Sequence, residues 1–279
     1  MFIGWFRQSM RGRLWLVKDI MNTSFVVSPD GTLIAYDVTG EGSAIVLLHG
    51  GWHTRQDWHD VGYVSRLQDN FKVIAIDIRG NGESDKPIDP FCYATEKICQ
   101  DVLAVADACN VERFSLWGFS YGGNIGRYLA SQSDRVKKFV MMGIPFGLGA
   151  PGNLRRFIEV FRHHWSPVLD AKKSGTVDMA SLSSEDQERL QNGDVAVEMA
   201  WLSAMLDWRA IEPADIRCQT LWLLGSLNEP AMASFREYKE QLPISKVRVE
   251  VIEGLNHREE FTNIDRSLPV ILAFTQGEV

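Results

Sequence analysis

The sequence predicts an α/β fold in which a mostly parallel β-sheet is covered by helices on both faces. Two observations predict it: short, continuously apolar runs recur along the chain, and helix-like stretches separate several of them. Strands that are buried on both faces read as continuous apolar runs, and strand–helix–strand alternation is typical of a parallel sheet. The predicted strands are residues 44–48, 73–76, 114–117, 139–142, 220–224 and 247–252.

Two regions depart from this alternation. Residues 23–28 and 32–38 have strand-like composition, and the Ser-Pro-Asp-Gly sequence between them predicts the turn of an N-terminal antiparallel hairpin. Residues 146–213 contain helix-like pieces joined by a polar stretch, which predicts an inserted helical cap over the strand ends. The predicted organisation is an N-terminal appendage at 1–20, a core formed by 21–145 and 214–279, and a cap at 146–213.

Composition limits the classes of function. A chain of 279 residues suits one large α/β domain with an insertion. The formal charge of −7 disfavours binding to nucleic acid, whose phosphates require concentrated Lys and Arg. The four cysteines lack the paired spacing of a zinc site and the density of a disulfide scaffold, so we predict free thiols in a reducing cytoplasm and no metal site.

Residues 1–20 mix large apolar side chains with basic ones. Arg7, Arg11 and Arg13 interrupt the apolar run, whereas a signal peptide keeps its charges ahead of that run. Two interpretations remain: an amphipathic segment lying on a membrane or on the protein's own surface, or an appendage upstream of the domain. We favour the appendage and do not expect membrane contact.

The strongest motif is Gly118-Phe119-Ser120-Tyr121-Gly122, which matches G-x-S-x-G. It follows the predicted strand 114–117 and precedes a helix-compatible stretch, the strand–turn–helix setting that this motif needs. The glycines allow the sharp turn, which exposes the Ser120 hydroxyl and aims the backbone N–H of Tyr121 toward a developing oxyanion. The motif predicts Ser120 as a nucleophile.

With this motif the chain resembles the α/β-hydrolase superfamily, and the resemblance extends from Thr23 to Phe274. The sequence His49-Gly50-Gly51-Trp52 is similar to the family's oxyanion loop, which implies Gly51 as the second oxyanion donor, with Trp52 as a neighbouring candidate. The segment beginning at Asp77 is similar to the family's structural D-x-R-G-x-G-x-S sequence. The resemblance implies a cap-containing serine hydrolase of the esterase or lipase type.

A serine nucleophile needs a base, and six histidines are available. His257 follows the last predicted strand and precedes a helix-like C-terminal stretch, which is where the family carries its catalytic histidine. An acid that lies between Ser120 and His257 in sequence would match the superfamily's chain order of serine, acid and histidine. We therefore predict His257 as the base.

The third member of the triad does not follow the family pattern. The family's acid commonly occurs as G-x-x-D, and Asn228 occupies the Asp position of Gly225-Ser226-Leu227-Asn228. In a serine protease, the same Asp-to-Asn change costs about 10⁴-fold in kcat through the wrong histidine tautomer. Three explanations are open: Glu229 acts after a one-residue shift, which we favour; Asn228 orients the histidine as a neutral group; or hydrolysis is weak or lost.

The expected reaction is acyl transfer to water without a metal or organic cofactor. The expected substrate is a small carboxylic ester with an apolar or aromatic acyl group. The pocket candidates are Trp52, Phe119 and Phe146, which lie in sequence near the oxyanion loop, the sharp turn at Ser120 and the cap. Carbon–carbon bond hydrolases and prolyl aminopeptidases share this machinery, and Asn228 keeps open a weakly catalytic, ligand-binding member of the fold.

Overall fold

The computed structural model describes residues 22–192 and 194–277. Across these residues the chain forms an eight-stranded sheet with helices on both faces. The strands are β1 (Ser24–Val27), β2 (Leu33–Thr39), β3 (Ser43–Leu48), β4 (Phe71–Ile76), β5 (Phe114–Phe119), β6 (Val136–Met142), β7 (Gln219–Gly225) and β8 (Val247–Ile252).

The strand order is β1-β2-β4-β3-β5-β6-β7-β8. Strands β1 and β2 form the N-terminal antiparallel hairpin, and β2 also pairs antiparallel with β4. Every other pairing in the described sheet is parallel. The predicted α/β fold with a mostly parallel sheet and an N-terminal hairpin is therefore confirmed.

The connections between the parallel strands are mainly helical. The helices are α1 (Gln56–Asp60), α2 (Tyr63–Leu67), α3 (Thr95–Ala108), α4 (Tyr121–Gln132), α5 (Gly152–Ser174), α6 (Ser184–Asn192), α7 (Val195–Ala204), α8 (Glu229–Tyr238), α9 (Glu259–Thr262) and α10 (Ile264–Gln276). Helices α5, α6 and α7 lie between β6 and β7, within the segment predicted as a helical insertion. The division of the chain into core and cap domains stays a prediction.

The apolar strands separate two hydrophobic cores in the described part of the chain. Successive residues of β3 alternate between them: Ile45 and Leu47 belong to one core, and Val46 and Leu48 to the other. This alternation follows from the two-residue repeat of a strand, and it explains why strands with both faces covered read as unbroken apolar runs.

The predicted appendage and its membrane interpretation lie outside the described residues. In the part of the chain that is described, no helix combines the length and apolar character needed to cross a membrane. The sheet positions the residues of the candidate site at the carboxyl ends of β3, β5 and β7.

Candidate active site

Ser120 lies at the sharp turn between β5 and α4. Its backbone φ is 50°, a left-handed conformation that is costly for a residue other than glycine. A Cβ at Gly118 would lie 2.5 Å from the carbonyl oxygen of Gly122, so strand and helix approach too closely for any larger residue. The sequence folds as an elbow here because its flanking glycines allow that approach.

The elbow also packs directly against the loop that follows β3. The N–H of Gly122 donates to the carbonyl oxygen of His49 at 2.9 Å, and a Cβ at Gly122 would lie 2.7 Å from the same oxygen. His49 accepts at Nε2 from the N–H of Ile78 at 3.0 Å, so its Nδ1 carries the proton and donates to the carbonyl oxygen of Gly50 at 2.7 Å. Burial lowers the pKa of His49, which keeps the ring neutral and fixes the loop.

The two predicted oxyanion donors are neighbours. Tyr121 is the first residue of α4, so its N–H has no acceptor within the helix and lies at the positive end of the helix dipole. A Cβ at Gly51 would lie 3.8 Å from Cβ of Tyr121. The two residues are therefore neighbours beside Ser120, and their role as oxyanion donors stays a prediction.

His257 connects Ser120 to a buried carboxylate. Its Nε2 lies 3.0 Å from Oγ of Ser120, and its Nδ1 lies 3.2 Å from Oε2 of Glu260. A carboxylate next to Nδ1 places the ring proton on that nitrogen, so Nε2 is left to accept the hydrogen bond of the serine hydroxyl. This is the arrangement of nucleophile, base and acid that activates a serine.

Glu260 was not predicted from the sequence. It lies three residues after His257 in the sequence, and its side chain is fully buried. Among the described residues, three groups donate to its carboxylate: the N–H of Gly225 at 2.6 Å, Nδ2 of Asn228 at 2.9 and 3.0 Å, and Nδ1 of His257. Such donors compensate a buried carboxylate for the water it has lost.

Asn228 contacts the same carboxylate from the position at which the family carries its acid. Its Nδ2 donates to the carbonyl oxygen of Gly143 at 2.9 Å as well as to Glu260, and it lies 3.3 Å from Nδ1 of His257. The carbonyl of Gly143 and the carboxylate of Glu260 are both acceptors, so the Asn228 amide must turn its nitrogen, and not its oxygen, toward them. Asn228 therefore holds Glu260 and offers no carboxylate to His257.

Gly143, at the end of β6, leaves room for this arrangement. Its φ is +74°, and a Cβ there would lie 2.9 Å from Nδ1 of His257 and closer still to Oε2 of Glu260. Only glycine is compatible with both the backbone conformation and the space.

The structure does not bring Glu229 to His257. Glu229 is the first residue of α8, its side chain is 73% exposed, and its carboxylate pairs with Arg236 on the outer face of the same helix. The expected one-residue shift of the loop does not occur, because Asn228 is already held in the site by Gly143 and Glu260.

The three pocket candidates occupy different places. Trp52 is half-buried and lies beside Trp201 of α7, with ring centroids 4.9 Å apart. Phe119 stacks on His257 with centroids 5.1 Å apart, so it supports the imidazole. Phe146 packs against Trp222 of β7 at 4.8 Å, in the hydrophobic core, and the structure shows no role for it beside Ser120.

Asp77 makes structural contacts, as the resemblance implied. Its carboxylate accepts from the backbone N–H of Arg55 at 2.8 Å and of Glu83 at 2.9 Å, and it pairs with the Arg55 guanidinium. These contacts tie the loop after β4 to the segment that follows the oxyanion loop.

A family model for the alpha/beta hydrolase fold matches residues 43–213, which is more than half of the chain. The chain belongs to the α/β-hydrolase fold family. The matched region includes the oxyanion loop and the elbow, while His257 and Glu260 lie beyond it.

Relatives in this family differ in chemistry. A Bacillus subtilis protein with the provisional name 2-succinyl-6-hydroxy-2,4-cyclohexadiene-1-carboxylate synthase is 24% identical over 85% of this chain and 92% of its own length. Epoxide hydrolase 3 of Siraitia grosvenorii is 30% identical, but the match covers 49% of this chain and less than half, 42%, of that protein. The solved structure of an Exiguobacterium antarcticum esterase superposes with a TM-score of 0.67 at 19% identity, covering 91% of this chain and 99% of that one, which supports the fold alone. Membership of the family therefore does not determine the reaction.

Proposed function

We propose that this protein is a serine hydrolase that cleaves a small carboxylic ester through an acyl-enzyme, with Ser120 as nucleophile, His257 as base and Glu260 as acid. The observation that carries the proposal is the continuous hydrogen-bonded path from Oγ of Ser120 through His257 to Glu260, with contacts of 3.0 and 3.2 Å. Nucleophile and base within hydrogen-bond reach, with the base oriented by a third group, is the signature of nucleophilic catalysis.

The proposed reaction has two steps, formation of the acyl-enzyme and its hydrolysis. Oγ of Ser120 attacks the carbonyl carbon while its proton passes to Nε2 of His257, and the N–H groups of Gly51 and Tyr121 hold the oxyanion. The C–O bond to the alcohol then breaks, and His257 returns the proton to the leaving oxygen. Water attacks the acyl-enzyme with His257 again taking the proton, and collapse of that intermediate releases the carboxylic acid and restores Ser120.

The elbow residue separates this proposal from the chemistry of the epoxide hydrolases. In hydrolases of this fold that open epoxides or cleave carbon–halogen bonds, an aspartate stands where this chain has Ser120. A serine at that position instead forms an acyl ester with a carbonyl substrate.

The buried acid also bears on the ligand-binding alternative, which depended on the absence of a carboxylate beside His257. Glu260 provides that carboxylate from helix α9, and its donors hold it in the orientation that the imidazole needs. This favours an active enzyme over a vestigial site.

Labelling with a fluorophosphonate probe tests the proposal. We expect the wild-type chain to be labelled, because the probe reacts with a serine made nucleophilic by its base, and Ser120→Ala to abolish labelling. Ser133→Ala, at the other end of α4, is the matched control and should label like the wild type.

Two outcomes would contradict the proposal: a folded wild-type protein that the probe does not label, or Ser120→Ala labelled as strongly as the wild type. Circular dichroism of both proteins establishes that they are folded.

A further inference from the structure

Aromatic rings near Ser120 form two groups. One surrounds the catalytic imidazole: Phe119 stacks on His257, and the ring of His53 meets Phe119 at a centroid distance of 6.3 Å. The other lies beside the oxyanion loop and consists of Trp52, Trp201 and Phe157, and we call it the indole wall.

Trp201 of α7 contacts both residues that carry the proposed oxyanion donors. A Cβ at Gly51 would lie 3.2 Å from Cη2 of the indole, and the ring centroid of Tyr121 lies 4.9 Å from that of Trp201. Trp201 is only 3% exposed, so the indole fills the space next to the donors.

Trp52 and Phe157 extend the indole wall. Trp52 meets Trp201 edge to face at 4.9 Å, and Phe157 of α5 lies 6.4 Å from Trp52. The backbone φ of Trp52 is 60°, which a bulky residue adopts only where its surroundings require it. The contact between Trp52 and Trp201 is therefore a fixed feature of this side of the site.

The position of the base decides which side receives the acyl group. The leaving oxygen must come within hydrogen-bond reach of Nε2 of His257, so the leaving group lies on the His257 side. With the carbonyl oxygen at the donors of Gly51 and Tyr121, the acyl substituent takes the remaining direction, away from His257, and Trp201 is the buried ring that contacts both donor residues.

The two sides differ in exposure. The side chains of His257 and His53 are 30% and 35% exposed, whereas Trp201 is buried. Trp52 and Phe157 are partly exposed, so solvent reaches the leaving-group side and the outer part of the indole wall, and the acyl side is closed at Trp201.

We infer that Trp201 determines specificity by limiting the substrate to esters of short acyl chains, such as acetyl or propionyl, while the alcohol portion can be large. This inference rests on the proposed ester hydrolysis and names the substrate class for it. Its physical basis is that an apolar pocket rejects a longer chain when the volume is already occupied by protein.

Hydrolysis of p-nitrophenyl acetate and p-nitrophenyl octanoate tests the inference. In the wild type, kcat/KM is expected to be higher for the acetate, and naphthyl acetate should remain a substrate because it enlarges only the alcohol portion. Trp201→Ala opens an apolar cavity contiguous with the oxyanion loop, so the octanoate-to-acetate ratio of kcat/KM should rise by at least about tenfold, equivalent to ~1.4 kcal/mol of transition-state selectivity.

A second variant guards against unfolding, because Trp201→Ala leaves a large void. Trp201→Leu keeps an apolar side chain and should shift the ratio in the same direction by a smaller factor. Trp165→Leu is the matched control: Trp165 is an equally buried tryptophan of α5, packed on Phe161, and its loss should leave the ratio unchanged.

The outcomes separate the two proposals. A wild type that prefers the octanoate, or a Trp201→Leu ratio equal to that of the wild type, overturns the inference while ester hydrolysis stands. A wild type that hydrolyses none of these esters and is not labelled by a fluorophosphonate instead contradicts the proposed function itself.

Discussion

Glu260→Gln is expected to lower kcat for a p-nitrophenyl ester by about 10⁴-fold, the loss seen when the acid of a serine protease triad becomes an amide. In the proposed mechanism, the carboxylate fixes the proton of His257 on Nδ1 and stabilises the imidazolium that forms when Ser120 is deprotonated. The carboxylate of Glu260 accepts from the N–H of Gly225 and from Nδ2 of Asn228. The NH₂ group of a glutamine in its place is itself a donor, so it would face one of these donors instead of accepting from it. Steady-state kinetics on the folded variant measure the effect.

The control for this prediction is Glu229→Gln. Glu229 faces solvent and pairs with Arg236, so its loss should leave kcat within error of the wild type. The assignment of Glu260 is contradicted if the two results are exchanged, with Glu229→Gln inactive and Glu260→Gln active.

Asn228→Asp, which restores the family's usual residue, is expected to impair the enzyme. The change removes the donor that holds Glu260 and places a carboxylate oxygen about where Nδ2 now lies, 3.0 Å from Oε2 of Glu260. Two unit charges at such a distance repel by roughly 5 kcal/mol at an effective dielectric constant of about 20. Two carboxylates this close cannot both stay ionised, so one must take up a proton.

We expect kcat of Asn228→Asp to fall by at least about tenfold at neutral pH, the equivalent of ~1.4 kcal/mol, together with a lower free energy of unfolding. Asn228→Ala removes the same donor without adding a charge and should destabilise the protein less. Kinetics and urea unfolding of both variants measure these effects. An Asn228→Asp enzyme that is as active and as stable as the wild type would contradict the predicted repulsion between the new carboxylate and Glu260.

Much of the fold was predictable from local pattern. Buried parallel strands leave continuous apolar runs in the sequence, and the elbow requires Gly118 because strand and helix nearly touch there. These constraints act over a few residues, so a single sequence displays them.

Glu260, the proposed acid, could not be predicted in the same way, because it reaches His257 through a turn of the chain that the sequence pattern does not display. Glu259 and Glu260 are adjacent in sequence, yet Glu259 accepts from the N–H of Asn256 while Glu260 turns inward to His257. The available signal was the spacing of Glu260: a residue three positions after His257 reaches the same face if the chain turns helically there, as it does at α9.

Glu229 and Phe146 show why proximity in sequence misled the prediction. Glu229 begins α8, where an acidic residue is favoured by the helix dipole, and its side chain turns outward. Phe146 follows β6 but enters the core against Trp222. In both cases the position along the chain is close to the site, and the direction of the side chain depends on packing that the sequence does not display.

The acyl-enzyme on Ser120 is the most direct test of the whole mechanism. The protein is mixed with p-nitrophenyl acetate, quenched with acid during turnover, digested and analysed by mass spectrometry. The mechanism predicts an acetyl group on Ser120 in the wild type. Release of p-nitrophenolate while Ser120 stays unmodified at every quench time would contradict it.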